Sequence, residues 1–102
     1  MENRNLKIAI VGAGRVAQHY KTIFDSSVVS GFEIVGICDP DKSAREVFTK
    51  HWSCIGYDDI SEMLSNSLPE LVIVLTPSGM HYEHAKTALD FNVHVLVESL
   101  QQ

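Results

Sequence analysis

Two glycines and a small residue directly follow an apolar run near the start of the chain, in the sequence IAIVGAGRVA of residues 8–17. Gly12 permits a tight turn from a strand into a helix, Gly14 lets a ligand approach the backbone because it has no Cβ, and Ala17 is small enough for close packing of the helix on the strand. The unpaired N–H groups and the partial positive charge at the start of such a helix attract phosphate. This spacing therefore predicts a binding site for the diphosphate of a dinucleotide.

A second polar group with a matching role is Asp39, which follows the apolar run IVGIC. A carboxylate at the end of the second strand accepts hydrogen bonds from the ribose hydroxyls of adenosine and repels a 2′-phosphate, which favours NAD over NADP. Lys42 and Arg45 lie close enough in sequence to weaken that preference. Asp39 lies further from Gly12 in the sequence than the usual distance of about 20 residues. The polar insert at 26–31 accounts for the excess. The alternative is an Asp-Pro turn in which Asp39 only caps the following helix.

The spacing of apolar residues alternates along the chain between that of strands and that of helices. The runs IAIV and LVIVL are apolar on both faces, as expected for parallel strands that helices cover on each side. Strands are predicted at residues 6–11, 32–38, 54–57, 71–75 and 93–97. Helices are predicted at residues 15–26, 41–50, 58–65 and 81–91, with Asp41 and Asp58 as N-caps.

These elements predict an α/β fold with a Rossmann-like, doubly wound parallel sheet of about five strands. Right-handed crossovers and a nucleotide turn after the first strand give the strand order 3-2-1-4-5 as the simplest arrangement. Ligands of such sheets bind at the carboxyl ends of the strands, near the point where the order reverses. The residues that follow the strands are therefore the site candidates, and they are Gly12, Asp39, Thr76 and Glu98.

The composition is that of an ordinary globular domain. The chain has 102 residues, of which 45% are hydrophobic and 21% are charged, so it has room for a single core. A net charge of −5 argues against a surface that binds nucleic acid or anionic membranes. No apolar run approaches the about 18 residues of a membrane span, and glycines interrupt the first run before it could serve as a signal-peptide core. We therefore expect a cytoplasmic protein with no nucleic-acid or membrane partner.

The cysteines and histidines do not have the spacing of a metal site. Cys38 and Cys54 are too few for a disulfide scaffold or a zinc ribbon, and we expect them to be buried thiols. His81 and His84 share one face of a predicted helix, but no further ligand stands near them at a suitable spacing. The sequence therefore predicts no metal centre.

Other nucleotide sites fit the glycine turn less well. A methyltransferase binds adenosine with a similar acid, but the acidic residue that such enzymes usually have before the first glycine is replaced by Val11. A phosphate-binding loop of the nucleoside-triphosphatase type is excluded because no Gly-Lys-Ser/Thr follows the glycines. A flavin site remains an alternative to a nicotinamide dinucleotide.

Five segments in fixed order resemble the glucose-fructose oxidoreductase, inositol dehydrogenase and rhizopine catabolism family (Gfo/Idh/MocA). They are IAIVGAGRVAQHY, IVGICDPD, GYDDISEML, VIVLTPSGMHYEHAKTAL and VHVLVE, and the resemblance covers residues 7–98. It implies an N-terminal domain that binds NAD(P) and a second, mostly β-sheet domain that binds the substrate. The implied reaction is hydride exchange between nicotinamide and a hydroxyl-bearing carbon of a sugar or cyclitol. The stretch TPSG resembles members that act on nucleotide-linked sugars.

The resemblance also implies which residues contact the cofactor. The implied contacts are Gly12, Gly14, Arg15 and Val16 around the pyrophosphate, Asp39 at the adenosine ribose, Thr76, Pro77 and His81 along the crevice, and Glu98 near the nicotinamide ribose. Simple structural roles remain as alternatives for the later residues. A Thr-Pro pair often ends a strand because proline lacks an N–H, His81 is equally an early helical residue, and Glu98 is equally a solvated strand end.

The resemblance fails at the end of the matching region. The family usually continues Val-Glu with Lys-Pro, whereas here Ser99 follows Glu98, and the lysine that the family places beside the nicotinamide is missing. Serine cannot replace a cationic donor, and general acid-base catalysis needs a titratable group within reach of the substrate. We therefore assign no catalytic residue and expect residues 1–102 to form a single dinucleotide-binding domain without the substrate domain.

Two hypotheses about function follow from the sequence. In the first, the chain is the cofactor domain of an NAD-dependent sugar oxidoreductase and binds the cofactor without turnover. In the second, it is a stand-alone module that senses a dinucleotide or binds a protein partner. In both, the surface that a substrate domain would cover favours self-association as a homo-oligomer.

Overall fold

Strands and helices alternate along the chain in the computed structural model, which describes residues 4–26 and 30–98. The strands β1 to β5 are Leu6–Val11, Phe32–Cys38, Ile55–Tyr57, Leu71–Val74 and His94–Val97. The helices α1 to α4 are Arg15–Asp25, Lys42–Trp52, Ile60–Ser67 and Ser78–Asp90. Every predicted element is thus present in the predicted order.

The five strands form one parallel sheet in the order β3-β2-β1-β4-β5. This confirms the predicted α/β class, the Rossmann-like topology and the strand order 3-2-1-4-5. Val11 at the end of β1 lies opposite Cys38 of β2 and Val74 of β4, and Val74 lies opposite Val97 of β5. Because the strands end at the same level, the residues that follow them lie along one edge of the sheet.

Helices cover both faces of the sheet, which explains why the segments IAIV of β1 and LVIV of β4 are apolar on both faces. On one face, Ile8 and Ile10 of β1 pack with side chains of α1 and α2. On the other face, Ala9 and Val11 pack with side chains of α3 and α4. Ala17 of α1 is fully buried, as its predicted role in close packing of helix on strand requires. The position of α1 over the end of β1 is therefore fixed by core packing.

Aspartates cap the second and third helices. The carboxylate of Asp41 accepts a hydrogen bond from the Ala44 N–H at 3.2 Å, which confirms the predicted cap of α2. The prediction of Asp58 as the cap of α3 is wrong. Asp59 takes that position and accepts from the Glu62 N–H at 2.9 Å, because the cap must stand three residues before the N–H that it binds.

The fourth helix begins at Ser78, about one turn before the predicted start at His81. Its first turn contains Gly79, which lies before the predicted start of the helix. A first turn tolerates such residues because its N–H groups have no intrahelical partner, and the fixed φ of Pro77 directs the chain into the helix from an extended conformation. His81 therefore lies a turn further inside α4 than expected.

The outer strands of the sheet are β3 and β5. Each carries an exposed apolar side chain, Ile55 with 64% and Leu96 with 43% of its surface accessible. Unpaired backbone groups and apolar side chains at a sheet edge favour pairing with another chain, so self-association stays a prediction. Within residues 4–26 and 30–98, no helix has the length and apolar character needed to cross a membrane.

Candidate functional site

The glycine turn joins β1 to α1 at the carboxyl edge of the sheet. Gly12 has a φ of +106°, and a Cβ there would lie 3.0 Å from the backbone of Leu75 and Thr76, so both conformation and space require glycine. Gly14 precedes the first residue of α1, and a Cβ built on it would meet no atom within 4 Å. In the described part of the chain no side chain caps this helix. Its first N–H groups are therefore accessible to an anion.

The side chains that follow the turn divide between solvent and core. Arg15 is exposed at the first position of α1, so its guanidinium is free to approach a bound phosphate. Val16 is half-buried and packs against the core, so only its backbone N–H is available to a ligand. Both residues lie at the helix end where the sequence placed them, and their contacts with a pyrophosphate stay predictions.

Asp39 is in direct contact with the glycine turn. Its Oδ2 accepts a hydrogen bond from the Ala13 N–H at 2.8 Å, and its Oδ1 accepts one from the Asp41 N–H at 2.8 Å. The carboxylate therefore fixes the shape of both the β1–α1 turn and the β2–α2 turn. Each carboxylate oxygen has a second lone pair, which leaves Asp39 able to accept from ribose hydroxyls as well. The alternative in which Asp39 caps α2 is wrong, because Asp41 is the cap.

Arg45, which the sequence suggested only as a neighbouring charge, stabilises the turn that contains Asp39 through a hydrogen bond. Its Nη1 donates a hydrogen bond to the backbone carbonyl of Asp39 at 2.8 Å. The same side chain crosses Gly56 of β3, where a Cβ would lie 3.1 Å from the Arg45 Cδ. The Nη1 of Arg45 is thus bound to the backbone of the turn. The contact of Arg45 with Gly56 depends on how β3 pairs with β2, so no short sequence pattern reveals it.

A cleft of about 310 Å³ opens beside Asp39, between the carboxyl ends of β2 and β4. Thr76 and Pro77 form its opposite wall, so the structure brings three of the predicted site residues to one cavity. Two further acids, Asp58 and Asp59, line it from the start of α3. The sequence contained a signal for these acids, since they directly follow the predicted third strand, but that strand was the weakest of the five.

The carboxylates give the cleft a negative electrostatic field, and Cys38 in its wall responds to it. Burial raises the pKa of the Cys38 thiol to about 12, and the charges of Asp59, Asp39 and Asp58 contribute in the same direction. Cys38 is buried as predicted, whereas Cys54 is only half-buried, and both are free thiols. The described residues contain no group of three or more His, Cys, Asp or Glu that could hold a metal ion.

One histidine of α4, His84, lines this cleft, and the cofactor contact of His81 stays a prediction. The Nδ1 of His84 lies 3.0 Å from the Oγ1 of Thr76, which links α4 to the end of β4. His81 does not line the cleft, and its Nε2 is buried with no hydrogen-bond partner among the described residues. His84 lies about one turn after His81 along α4, and it borders the cavity.

Because of the partly buried His84 side chain, we expect the folded state to be less stable at acidic pH. Burial lowers the pKa of His84, with Glu83 opposing and His81 adding to that shift. The unfolded chain therefore takes up this proton at a higher pH than the folded chain, so the free energy of unfolding falls as pH drops below about 6.5. Urea denaturation at pH 7 and pH 5 measures how much the free energy of unfolding falls between these two values. The fall is expected to be smaller in His84→Asn than in the unaltered chain. An equal loss in both would assign the effect to other groups.

Glu98 lies at the carboxyl end of β5, away from the cleft. Its backbone N–H donates to the carbonyl of Val74 at 3.0 Å, which continues the pairing of β5 with β4. Its Oε1 accepts a hydrogen bond from the hydroxyl of Tyr20 in α1 at 2.9 Å. The hydrogen bond from Tyr20 thus orients the Glu98 side chain at the carboxyl edge of the sheet. Its contact with a nicotinamide ribose stays a prediction. Ser99, where the sequence departs from the family pattern, lies outside the described residues.

An open parallel sheet with a glycine turn after its first strand, and an acid after the second strand that binds that turn, defines a dinucleotide-binding Rossmann domain. The profile of the oxidoreductase family with an NAD-binding Rossmann fold (Gfo/Idh/MocA) matches residues 6–99. The chain belongs to this family.

Curated relatives and solved structures agree with that membership. D-glucoside 3-dehydrogenase of Escherichia coli K12 is 33% identical over 99 residues, which cover 96% of this chain and 28% of the relative. Glucose-6-phosphate 3-dehydrogenase of Bacillus subtilis 168 is 35% identical over 92 residues, which cover 90% of this chain and 25% of the relative. The WlbA dehydrogenase of Chromobacterium violaceum, solved with NADH and UDP-GlcNAcA, is 25% identical with a TM-score of 0.81 and covers 95% of this chain and 28% of its own. This chain thus spans little more than a quarter of the length of these proteins.

Proposed function

We propose that this chain is the cofactor-binding part of an NAD-dependent dehydrogenase that acts on a hydroxyl group of a sugar, nucleotide sugar or cyclitol. The observation that carries the proposal is the 2.8 Å hydrogen bond between the Asp39 carboxylate and the Ala13 N–H. This bond supports the proposal because it joins the acid that we assign to the adenosine ribose to the turn that we assign to the diphosphate. In this assignment Gly12, Gly14 and the first N–H groups of α1 hold the pyrophosphate.

The preference for NAD over NADP is supported by the charges of the cleft. Asp39, Asp58 and Asp59 all line it, and a 2′-phosphate there would meet like charges at close range. Arg45 donates from its Nη1 to the backbone carbonyl of Asp39 and lies across Gly56 of β3. A 2′-phosphate would compete with that carbonyl for the Nη1 of Arg45.

The substrate class is inferred from the relatives. D-glucoside 3-dehydrogenase and glucose-6-phosphate 3-dehydrogenase carry sugars in their names, and the WlbA structure holds a nucleotide sugar beside NADH. Hydride transfer to or from a carbinol carbon also needs an acid or base within reach of the hydroxyl. We assign no residue in the ranges 4–26 and 30–98 to that role. That residues 1–102 form one cofactor-binding domain is part of the proposal.

Calorimetric titration of the 102-residue chain tests the proposal. NADH is expected to bind with one site per chain and at least about tenfold more tightly than NADPH, because like charges held together in a binding site cost several kcal/mol and about 1.4 kcal/mol corresponds to a tenfold change in affinity. Incubation of the chain with NAD and a panel of sugars is expected to leave absorbance at the NADH wavelength unchanged. Tighter binding of NADPH would overturn the NAD preference, and the absence of binding by either cofactor would overturn the assignment of the site.

A further inference from the structure

Tyr20 links helix α1 to the residue that follows β5, an outer strand of the sheet. It lies in α1, the helix that begins at the glycine turn, and its hydroxyl donates to the Oε1 of Glu98 beyond the end of β5. The ring itself packs against the core face under α1, with its centroid 5.9 Å from that of Phe24. The hydroxyl is thus carried to Glu98 by a side chain whose ring is anchored in the core.

The direction of this side chain brings the contact to the ligand edge of the sheet. Side chains on a helix lean toward its N-terminus, so the Tyr20 hydroxyl lies toward the glycine-turn end of α1. The backbone of Glu98 is held at the same edge by its hydrogen bond to Val74. Tyr20 therefore fixes the side chain of a residue whose main chain is already fixed by β4.

Glu98 and Asp39 lie on opposite sides of the glycine turn. Asp39 follows β2 and Glu98 follows β5, with β1 and β4 between them, which corresponds to a separation of about 14 Å at the usual strand spacing. A dinucleotide has the same order of groups, with a ribose on each side of its pyrophosphate. If the pyrophosphate occupies the turn after β1 and one ribose reaches Asp39, the second ribose extends toward β4 and β5.

We infer that Tyr20 is a positioning residue for the second ribose of the dinucleotide, the one that carries nicotinamide, and that it acts by orienting the carboxylate of Glu98 toward that sugar. This inference rests on the proposed function. Within residues 4–26 and 30–98, no group donates a hydrogen bond to the Oε2 of Glu98, which leaves this oxygen for a ribose hydroxyl.

The protonation state of Tyr20 agrees with this role. Burial raises the pKa of Tyr20 to about 12, and the hydrogen bond and charge of Glu98 add to the rise. The hydroxyl therefore remains a neutral donor over the pH range in which the protein would operate. A donor that keeps its proton holds Glu98 in a single orientation across that range.

Ligands of increasing length test the inference. ADP carries the pyrophosphate and the adenosine ribose, ADP-ribose adds the second ribose, and NADH adds the nicotinamide. Tyr20→Phe keeps the ring in the core and removes only the hydroxyl, so it is expected to weaken ADP-ribose and NADH by about three- to tenfold, the effect of one hydrogen bond. Its affinity for ADP is expected to stay within about twofold of that of the unaltered chain, as measured by calorimetric titration.

Two further variants separate this role from a general effect on α1. Thr22→Val removes a hydroxyl from the same helix whose hydrogen bond, to the carbonyl of Gln18, is local, and it is expected to change none of the three affinities. Glu98→Gln is expected to weaken the same two ligands as Tyr20→Phe. Adding Tyr20→Phe to Glu98→Gln is expected to cause little further loss, because the two residues act through one contact.

The outcomes distinguish the inference from the proposed function. Binding of ADP-ribose that Tyr20→Phe leaves unchanged, or an equal loss of all three ligands, would overturn the positioning role while the cofactor site stands. Failure of the unaltered chain to bind ADP, ADP-ribose and NADH would overturn the proposed function and this inference together.

Discussion

Gly12→Ala is expected to destabilise the folded chain by about 2–6 kcal/mol. A φ of +106° is strained for any residue with a Cβ, at a cost of about 1–3 kcal/mol. The added carbon would also lie 3.0 Å from the backbone of Leu75 and Thr76, which cannot rotate away as a side chain can, and such overpacking costs about 1–3 kcal/mol more. The total free energy of unfolding of such a domain is about 5–15 kcal/mol. Urea denaturation is therefore expected to show a large shift of the unfolding midpoint.

Gly14→Ala is the matched control, because it adds the same carbon two positions later in the same turn. The φ of Gly14 is −98°, and the new Cβ would meet no protein atom within 4 Å. We expect its free energy of unfolding to change by about 1 kcal/mol or less, and its affinity for NADH to fall at least about tenfold because the carbon enters the space of the diphosphate. Unchanged NADH affinity in Gly14→Ala would show that the diphosphate does not bind over this turn.

The fold was predictable because its signals are local and repeated. The runs that became β1 and β4 are apolar on both faces, and both are buried between two layers of helices. The order of the sheet followed from the handedness of the crossovers, which does not depend on individual side chains. Element boundaries were less predictable, since they depend on capping geometry. The shift from Asp58 to Asp59 at α3 and the early start of α4 are examples.

The site was predictable only where its residues lie at strand ends. Gly12 and Asp39 were identified separately from residue type and position, and the structure joins them through the Ala13 N–H. His84 was missed because its position at the cleft depends on how α4 packs beside the end of β4. Tyr20 was missed because its partner is distant in sequence and meets it only after β5 joins β4. Contacts between distant elements need the assembled fold, and no spacing rule within one segment predicts them.

Asp39→Asn is expected to weaken NADH binding by about 10- to 150-fold, the range for loss of a charged hydrogen-bond partner worth about 1.5–3 kcal/mol. The amide nitrogen of asparagine cannot accept, so either the Ala13 N–H or the Asp41 N–H loses its partner in addition to the ribose. The substitution also removes the charge that opposes a 2′-phosphate. The ratio of NADPH to NADH dissociation constants is therefore expected to move toward one, as measured by parallel titrations of both cofactors.

Asp41→Asn removes the same charge from the same turn and serves as the control. Asparagine caps a helix about as well as aspartate, and Asp41 contacts the Ala44 N–H rather than the cleft, so NADH affinity is expected to stay within about twofold. Equal losses in the two variants would mean that a changed shape of the β2–α2 turn, and not the loss of a hydrogen bond from Asp39 to the ribose, weakens binding. Full NADH affinity in Asp39→Asn would remove the adenosine ribose from this carboxylate. A selective loss in Asp39→Asn would mean that the contact that shapes the glycine turn also selects the cofactor.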